Sequence, residues 1–238
     1  MQVIITMAGL GTRFRKAGYN CPKYMIEAKG KTLFEWSMDS LLDYNPHVSK
    51  YIFVVRQEDN SFDFIKKQCN KYGIGKVDII ELDHMTDGQA TTCMLAIPKC
   101  NLDESIMVYN IDTYVEPYEM KYDDISGDGH IPCFHADGDH WSFARLDENG
   151  NVVEVREKVR ISDNCTLGAY YFSSAQIYKD IYEEYYADNS RIEKNEKYIA
   201  PLYNYMIEKG MQVTISIVDE KKVHVLGTPE ELKSFIKR

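Results

Sequence analysis

A chain of 238 residues with 44% hydrophobic content can bury one sizeable core, so a single domain is the expectation. A formal net charge of −9 argues against a general nucleic-acid surface, which needs a basic field to meet phosphates. Six cysteines (Cys21, Cys69, Cys93, Cys100, Cys133, Cys165) form no C-x-x-C pair and no metal spacing, which points to reduced thiols in a cytoplasmic protein rather than a disulfide framework.

The first run, MQVIITM, lacks a basic segment and reaches glycine after a short apolar stretch, so it reads as a buried strand over 2–7 and not as a signal peptide. A helix is expected over 33–44, a strand over 51–55, a helix over 62–72, a strand over 77–82, a helix over 86–97 and a strand over 105–109. That order is βαβαβαβ, the pattern of a parallel or mixed sheet covered by helices. Residues 140–158 read as two strands joined at Asp147-Glu148-Asn149-Gly150, a hairpin turn. A strand over 166–172, helices over 175–186 and 198–209 and a strand over 213–218 follow, with 186–194 as the one flexible loop. Thr228-Pro229-Glu230-Glu231 is a capping box with proline at the first helical position, opening a last helix. Nowhere does an apolar stretch approach the length that spans a bilayer, so no membrane contact is expected.

Charge is uneven along the chain. Over residues 1–32 the only acid is Glu27, against Arg13, Arg15, Lys16, Lys23, Lys29 and Lys31, which makes an electropositive pole suited to a small polyanion. Within it lies a glycine-rich turn directly after a buried strand, where backbone N–H groups can approach phosphates without side-chain interference. A lone G-x-G is common for steric reasons alone. The longer string is Ala8-Gly9-Leu10-Gly11-Thr12-Arg13-Phe14, with Pro22-Lys23 completing it ten residues beyond the arginine.

This string resembles the G-x-G-T-R…P-K signature of the sugar-phosphate nucleotidyltransferases, the family of glucose-1-phosphate thymidylyltransferase and short capsule-pathway cytidylyltransferases. Further blocks follow in the family's order: Asp87-Gly88-Gln89-Ala90, Asp112 at the end of the fourth strand, Glu157-Lys158, Leu167-Gly168-Ala169-Tyr170-Tyr171-Phe172 and Gly227-Thr228-Pro229. The resemblance implies a single α/β domain with a mixed, mostly parallel sheet and helices on both faces, an NTP-binding half over about 1–117 and an acceptor-binding half over about 118–238. It implies transfer of a nucleotidyl group from an NTP to a phosphorylated small molecule, with release of pyrophosphate.

The roles it implies make physical sense, because the reaction brings two anions together at an α-phosphorus and cations must offset their repulsion. Arg13 would hold the β- and γ-phosphates, Lys23 the α-phosphate region and Lys158 the acceptor's phosphate. Asp112 would position Mg²⁺ against the triphosphate. Ala8, Gly9, Gly11, Thr12 and Gly88 would contact the nucleotide, and Trp141, Glu157 and Gly168 the acceptor. Taken singly, Arg13 or Lys23 is a surface charge and Asp112 a loop cap; their joint placement favours function. Glu157 leans to a structural or acceptor-binding role. Tyr178, Tyr182, Tyr185 and Tyr186 fall on one helix as core or as a subunit contact, the latter fitting a homodimer.

Two departures from the family's pattern carry information. Many members place Asn or Asp two residues before the last strand's final glycine as a second metal ligand; here Val225 stands there, and valine cannot bind Mg²⁺. Either Asp112 and the phosphates suffice, or another carboxylate such as Asp219 moves in, or catalysis is impaired. Uracil- and thymine-using relatives commonly have glutamine five residues before the base-contacting glycine; here it is Asp83, and an ionised aspartate only accepts hydrogen bonds. That suits the amino group of cytosine or the donors of guanine, so CTP is favoured and GTP next. Trp141-Ser142 replaces the Tyr-Gly pair of hexose 1-phosphate users, which leaves a polyol, heptose or other capsule-precursor phosphate open as acceptor. A glycosyltransferase of the related fold, with Asn110-Ile111-Asp112 as a weak metal triplet, and a non-catalytic nucleotide-binding regulator are the alternatives.

Overall fold

The computed structural model describes residues 1–237. The opening apolar run forms β1 (Gln2–Thr6), followed by a short α1 (Thr12–Lys16) and a small hairpin of β2 (Glu27–Ala28) and β3 (Lys31–Thr32) that no periodicity announced. Helix α2 (Leu33–Asp39) starts where Thr32 and Glu35 close a capping box in both directions. It ends before the expected residue 44 because the backbone tightens to three-residue bonds, Leu41 N–H to Met38 O and Tyr44 N–H to Leu41 O. Then come β4 (Lys50–Arg56), α3 (Phe62–Lys71), β5 (Val77–Leu82), α4 (Gln89–Met94) and β6 (Ile106–Asn110), in the expected order. Helix α4 begins at 89 and not 86, since Gly88 at φ 141° has no helical backbone.

The second half adds β7 (Thr113–Val115), β8 (Gly129–His135), β9 (Ser142–Leu146), β10 (Val152–Glu157), β11 (Asn164–Thr166) and β12 (Ala169–Phe172). Helices α5 (Ala175–Tyr185) and α6 (Leu202–Glu208), strands β13 (Val213–Val218) and β14 (Val223–Val225), and helix α7 (Pro229–Lys237) complete the chain. The expected strand over 166–172 is broken by Gly168, whose φ of 76° turns the chain between β11 and β12. Strand β8 escapes a periodicity reading because His130 and Pro132 interrupt its apolar run; His130 is fully buried between the hydroxyls of Thr214, at 2.8 Å, and Ser216, at 3.0 Å.

The large sheet runs β10-β9-β11-β8-β12-β6-β1-β4-β5, with β13 paired to β8. β5, β4, β1 and β6 are parallel to one another, and β12 joins them antiparallel at Ala169↔Tyr109. Parallel strands need crossovers, which bury both sheet faces and explain why β1 and β4 are apolar without alternation. Ile4, Ile52 and Val108 pack on one side with α4, α5 and α6. Val3, Ile5, Phe53 and Tyr109 pack on the other with α2 and α3. A satellite cluster of Phe14, Leu33, Leu226, Leu232 and Phe235 ties α7 to α1 and α2. Of the four tyrosines expected on this helix, Tyr178, Tyr185 and Tyr186 are core residues and Tyr182 packs against the same cluster.

Candidate active site

Strand β1 delivers its C-terminal end to a turn in which Met7 and Ala8 are buried and Gly9 is open. Gly11 sits in the left-handed region at φ 60°, and a Cβ there would lie 3.9 Å from Lys23 Cβ, so the loop folds back over that lysine. Lys23 follows Pro22 at the start of a short 3₁₀ turn. Its Nζ donates to Asp112 Oδ2 at 2.7 Å, across 89 residues of sequence. Arg13, on α1, is exposed, makes no ion pair among the described residues and borders the same region.

Asp112 occupies the tight turn between β6 and β7. Its backbone is clamped from both sides: Ser37 Oγ donates to Ile111 O at 2.9 Å and Leu226 N–H to Asp112 O at 2.8 Å. Burial pushes its carboxyl up, but the Lys23 ammonium, the turn's backbone and the more distant Arg13 outweigh that and hold it below the usual carboxylate range. The group is therefore an anion at neutral pH.

Two cavities meet at this pair. One, about 440 Å³, is lined by Thr6, Ala8, Gly9, Lys23, Gly88 and Asp112 among others. The second, about 310 Å³, is lined by Arg13, Asp112, Trp141, Glu157, Gly168 and Tyr198 among others. Gln89, Asn110, Asp112 and Glu196 border both. The Gln89 amide bridges Thr6 Oγ1, at 3.1 Å, and the Asn110 side chain, fixing the septum between the two spaces.

Two of the four glycines expected in the site, Gly88 and Gly168, are required by close approach. A Cβ on Gly88 would collide with the backbone of Lys197, and one on Gly168 with the Asn110 side chain. Trp141 stands edge-on to Phe134, with ring centroids 5.2 Å apart, and its indole N–H donates to Asp137 O at 3.0 Å. Glu157 reaches the second cavity and bonds Ser142 Oγ.

Other expected residues lie elsewhere. Lys158 does not line the cavity: its ammonium is 3.1 Å from Tyr198 OH and 3.2 Å from Glu157 Oε1, packed behind the tyrosine ring. Asp83 is 80% exposed, paired with His84 Nδ1 at 2.6 Å, and borders a neighbouring hollow that touches the first cavity through Met85. Gly11 and Thr12 shape the loop without lining either space. Asp219 caps a 3₁₀ turn, accepting from Lys221 N–H, and borders neither cavity.

Sequence reasoning gave Gln89, Asn110, Glu196 and Tyr198 no role in this site. Gln89 lies inside a motif block and Asn110 in the weak metal triplet, but a neutral amide carries no local signal of convergence. Glu196 and Tyr198 come from the loop before α6, which straps onto Gly88 through Lys197 N–H to Asp87 O at 2.7 Å and Lys197 Nζ to Asp87 Oδ2 at 2.9 Å. The expected flexible loop just before it carries a 3₁₀ turn, Asn189–Arg191, whose Arg191 guanidinium lies over Tyr185 and Tyr205.

At the far end, Val225 pairs with Thr113 between β14 and β7 and presents no oxygen ligand. Beside it two carboxylates approach Gly227: a Cβ there would lie 3.3 Å from Asp112 Oδ2 and 3.6 Å from Glu231 Oε2. Among the described residues no three His, Cys, Asp or Glu side chains form a closed metal cage.

A glycine turn after β1, a lysine on the following 3₁₀ turn paired with an aspartate at the end of β6, and a divided cleft make up the candidate site, and the chain belongs to the sugar-phosphate nucleotidyltransferase family. It is similar over its whole length to the nucleoside-diphosphate-sugar pyrophosphorylase of Vibrio cholerae RC9, with 36% identity, 100% of both chains covered and a TM-score of 0.91. The inositol-1-phosphate CTP transferase of T. maritima shares the fold at 17% identity, with 100% of this chain and 96% of that one covered and a TM-score of 0.77. The choline-phosphate cytidylyltransferase of Streptococcus pneumoniae is 34% identical over 74 residues, 31% of this chain and 30% of that enzyme's length. No family model matches the chain. Among the described residues no helix is long and apolar enough to cross a membrane.

Proposed function

We propose that the protein transfers a nucleotidyl group from an NTP to a phosphorylated sugar, polyol or related small molecule and releases pyrophosphate. The observation that carries this reading is the pair of cavities meeting at Lys23 and Asp112. One has backbone from Ala8, Gly9 and Gly88 in its wall, the other a mixed aromatic and acidic lining. In this reading residues up to about 117 bind the NTP, and most of the acceptor contacts come from the second half. Lys23 and Arg13 flank the point where the acceptor phosphate approaches the α-phosphorus, so their charges offset repulsion that rises towards the transition state. No protein nucleophile is needed, because the acceptor phosphate attacks in line.

Asp112 fits Mg²⁺: it is an ionised hard-oxygen donor, and its Oδ2, which accepts from Lys23, faces Gly227, where no side chain intervenes. Bound there with substrate phosphates, the ion supplies charge neutralisation on the triphosphate. Asp112 would hold it, and Lys23 would move from Asp112 to phosphate oxygens as the nucleotide enters.

CTP is the favoured nucleotide and GTP the next. The support is the acceptor-only chemistry of Asp83, whose hydrogen bond with His84 favours its ionised form, and the cytidylyl activity named for the pneumococcal relative. Asp83 reaches a base only if its side chain turns from His84 towards Met85, the residue shared with the nucleotide cavity.

The test is pyrophosphate release from each of four NTPs against a panel of phosphorylated sugars and polyols. Acceptor-dependent release is expected, fastest with CTP. Consumption of a nucleotide-sugar donor without pyrophosphate would move the assignment to a glycosyltransferase. Nucleotide binding without release from any acceptor would make it a regulator.

A further inference from the structure

We infer that Glu231 is the second carboxylate of the metal site, replacing the oxygen ligand that Val225 cannot provide; this rests on the Mg²⁺-dependent reading above.

The sequence marks Glu231 as the third residue of a capping box, whose carboxylate ordinarily turns back to the cap's own N–H. At α2 the box closes both ways: Glu35 N–H donates to Thr32 Oγ1 at 3.2 Å and Thr32 N–H to Glu35 Oε2 at 2.9 Å. At α7 only half of it forms. Thr228 Oγ1 accepts from Glu231 N–H at 3.2 Å, while Glu231 Oε2 is buried with no hydrogen-bond partner.

A buried carboxylate oxygen without a partner is costly, because it has given up water and gained nothing. Its direction accounts for it. Glu231 Oε2 and Asp112 Oδ2 both lie within 4 Å of one point, the position a Cβ would take on Gly227, where glycine puts no side chain between them. Two carboxylates turned to the same glycine, on the wall of a cavity that Arg13 also lines, are the hard-oxygen donors a Mg²⁺ ion accepts once Lys23 has left Asp112 Oδ2, before it completes its shell with phosphates and water. Glu231 enters from the first turn of α7, which Leu232 and Phe235 anchor in the satellite core, so its approach is rigid. Asp219, the other carboxylate open to this role from the sequence, is on an exposed turn away from both cavities.

The test measures Mn²⁺ binding by electron paramagnetic resonance, without turnover, in the presence of whichever non-hydrolysable NTP analogue wild type binds best. Wild type, Glu231→Gln, Asp112→Asn and Asp219→Asn are compared, with thermal melting as the control for folding. Glutamine keeps the length and the capping geometry, so the fold should persist. Glu231→Gln and Asp112→Asn should each weaken Mn²⁺ at least about tenfold, as loss of a metal-site partner commonly does, with metal-free nucleotide affinity undiminished and Mn²⁺ binding by Asp219→Asn unchanged. Loss in Asp112→Asn with wild-type affinity in Glu231→Gln overturns the inference and leaves the metal reading intact. Absence of Mn²⁺ binding by wild type with nucleotide present overturns both.

Discussion

Lys23 and Asp112, separated by 89 positions in the chain, are joined by a 2.7 Å ion pair at the meeting point of the two cavities. The pair is partly enclosed, with 19% and 29% of the two side chains exposed, so each charge is held where a polyphosphate would compete for the lysine and a divalent ion for the aspartate. Lys23→Ala and Asp112→Asn should each lower turnover by roughly 10²-fold or more, the usual cost of removing a charge contact that strengthens in the transition state. Because the two act at one centre, the double variant should lose less than the product of the single losses. Pyrophosphate release, with circular dichroism to check folding, measures both; single-variant rates near wild type would remove these residues from the site.

Gly88 combines a backbone at φ 141° with the Lys197 backbone pressed against it. Gly88→Ala should cost about 3 kcal/mol of stability, from strain and displacement of the loop before α6 together. Urea unfolding gives the number. A variant as stable as wild type would mean that the strap around Lys197 yields freely.

His130 gives the fold a specific acid sensitivity. Burial lowers its pKa from 6.5 to about 4, so between those values the unfolded chain takes up a proton that the folded one refuses. Stability from this group is intact above pH 6.5 and falls as the pH drops towards 4, by ~3 kcal/mol across the window. In His130→Gln that part of the slope should vanish. Unfolding free energies at pH 7, 5.5 and 4.5 compare the two, and parallel curves would contradict the assignment.

Trp141 walls the second cavity and leaves the first untouched. Trp141→Ala should raise KM for the acceptor roughly tenfold, the equivalent of one lost aromatic contact, with KM for the nucleotide unchanged. A rise in the nucleotide KM instead would reverse the assignment of the two cavities.

Asp83→Gln should shift preference towards UTP or dTTP, because glutamine both donates and accepts where aspartate only accepts. The readout is the ratio of kcat/KM among the four NTPs. If that ratio stays put, the exposed pairing with His84 is the whole role of Asp83 and the case for CTP loses its main support.

What the sequence determined by itself is local. Apolar period and turn chemistry located β1, β4, β5 and β6 and the hairpin at Asp147–Gly150, because such signals arise from neighbours a few residues apart. The string from Ala8 to Lys23 and the position of Asp112 pointed to the nucleotidyltransferase family for the same reason: they are short patterns whose order survives in the chain. Tertiary structure alone decided what meets across the sheet. β8 and β11 exist through pairing with distant strands, Gln89 and Asn110 become a septum only when β6 lies beside β1, and the Lys197 segment explains Gly88 only once it has packed there. Glu231 shows the difference most plainly. Its spacing from Thr228 foretold a helix cap, and the helix begins there. Which way its carboxylate turns depends on Gly227 and Asp112, brought beside it by the pairing of β14 with β7, and no local spacing records that register.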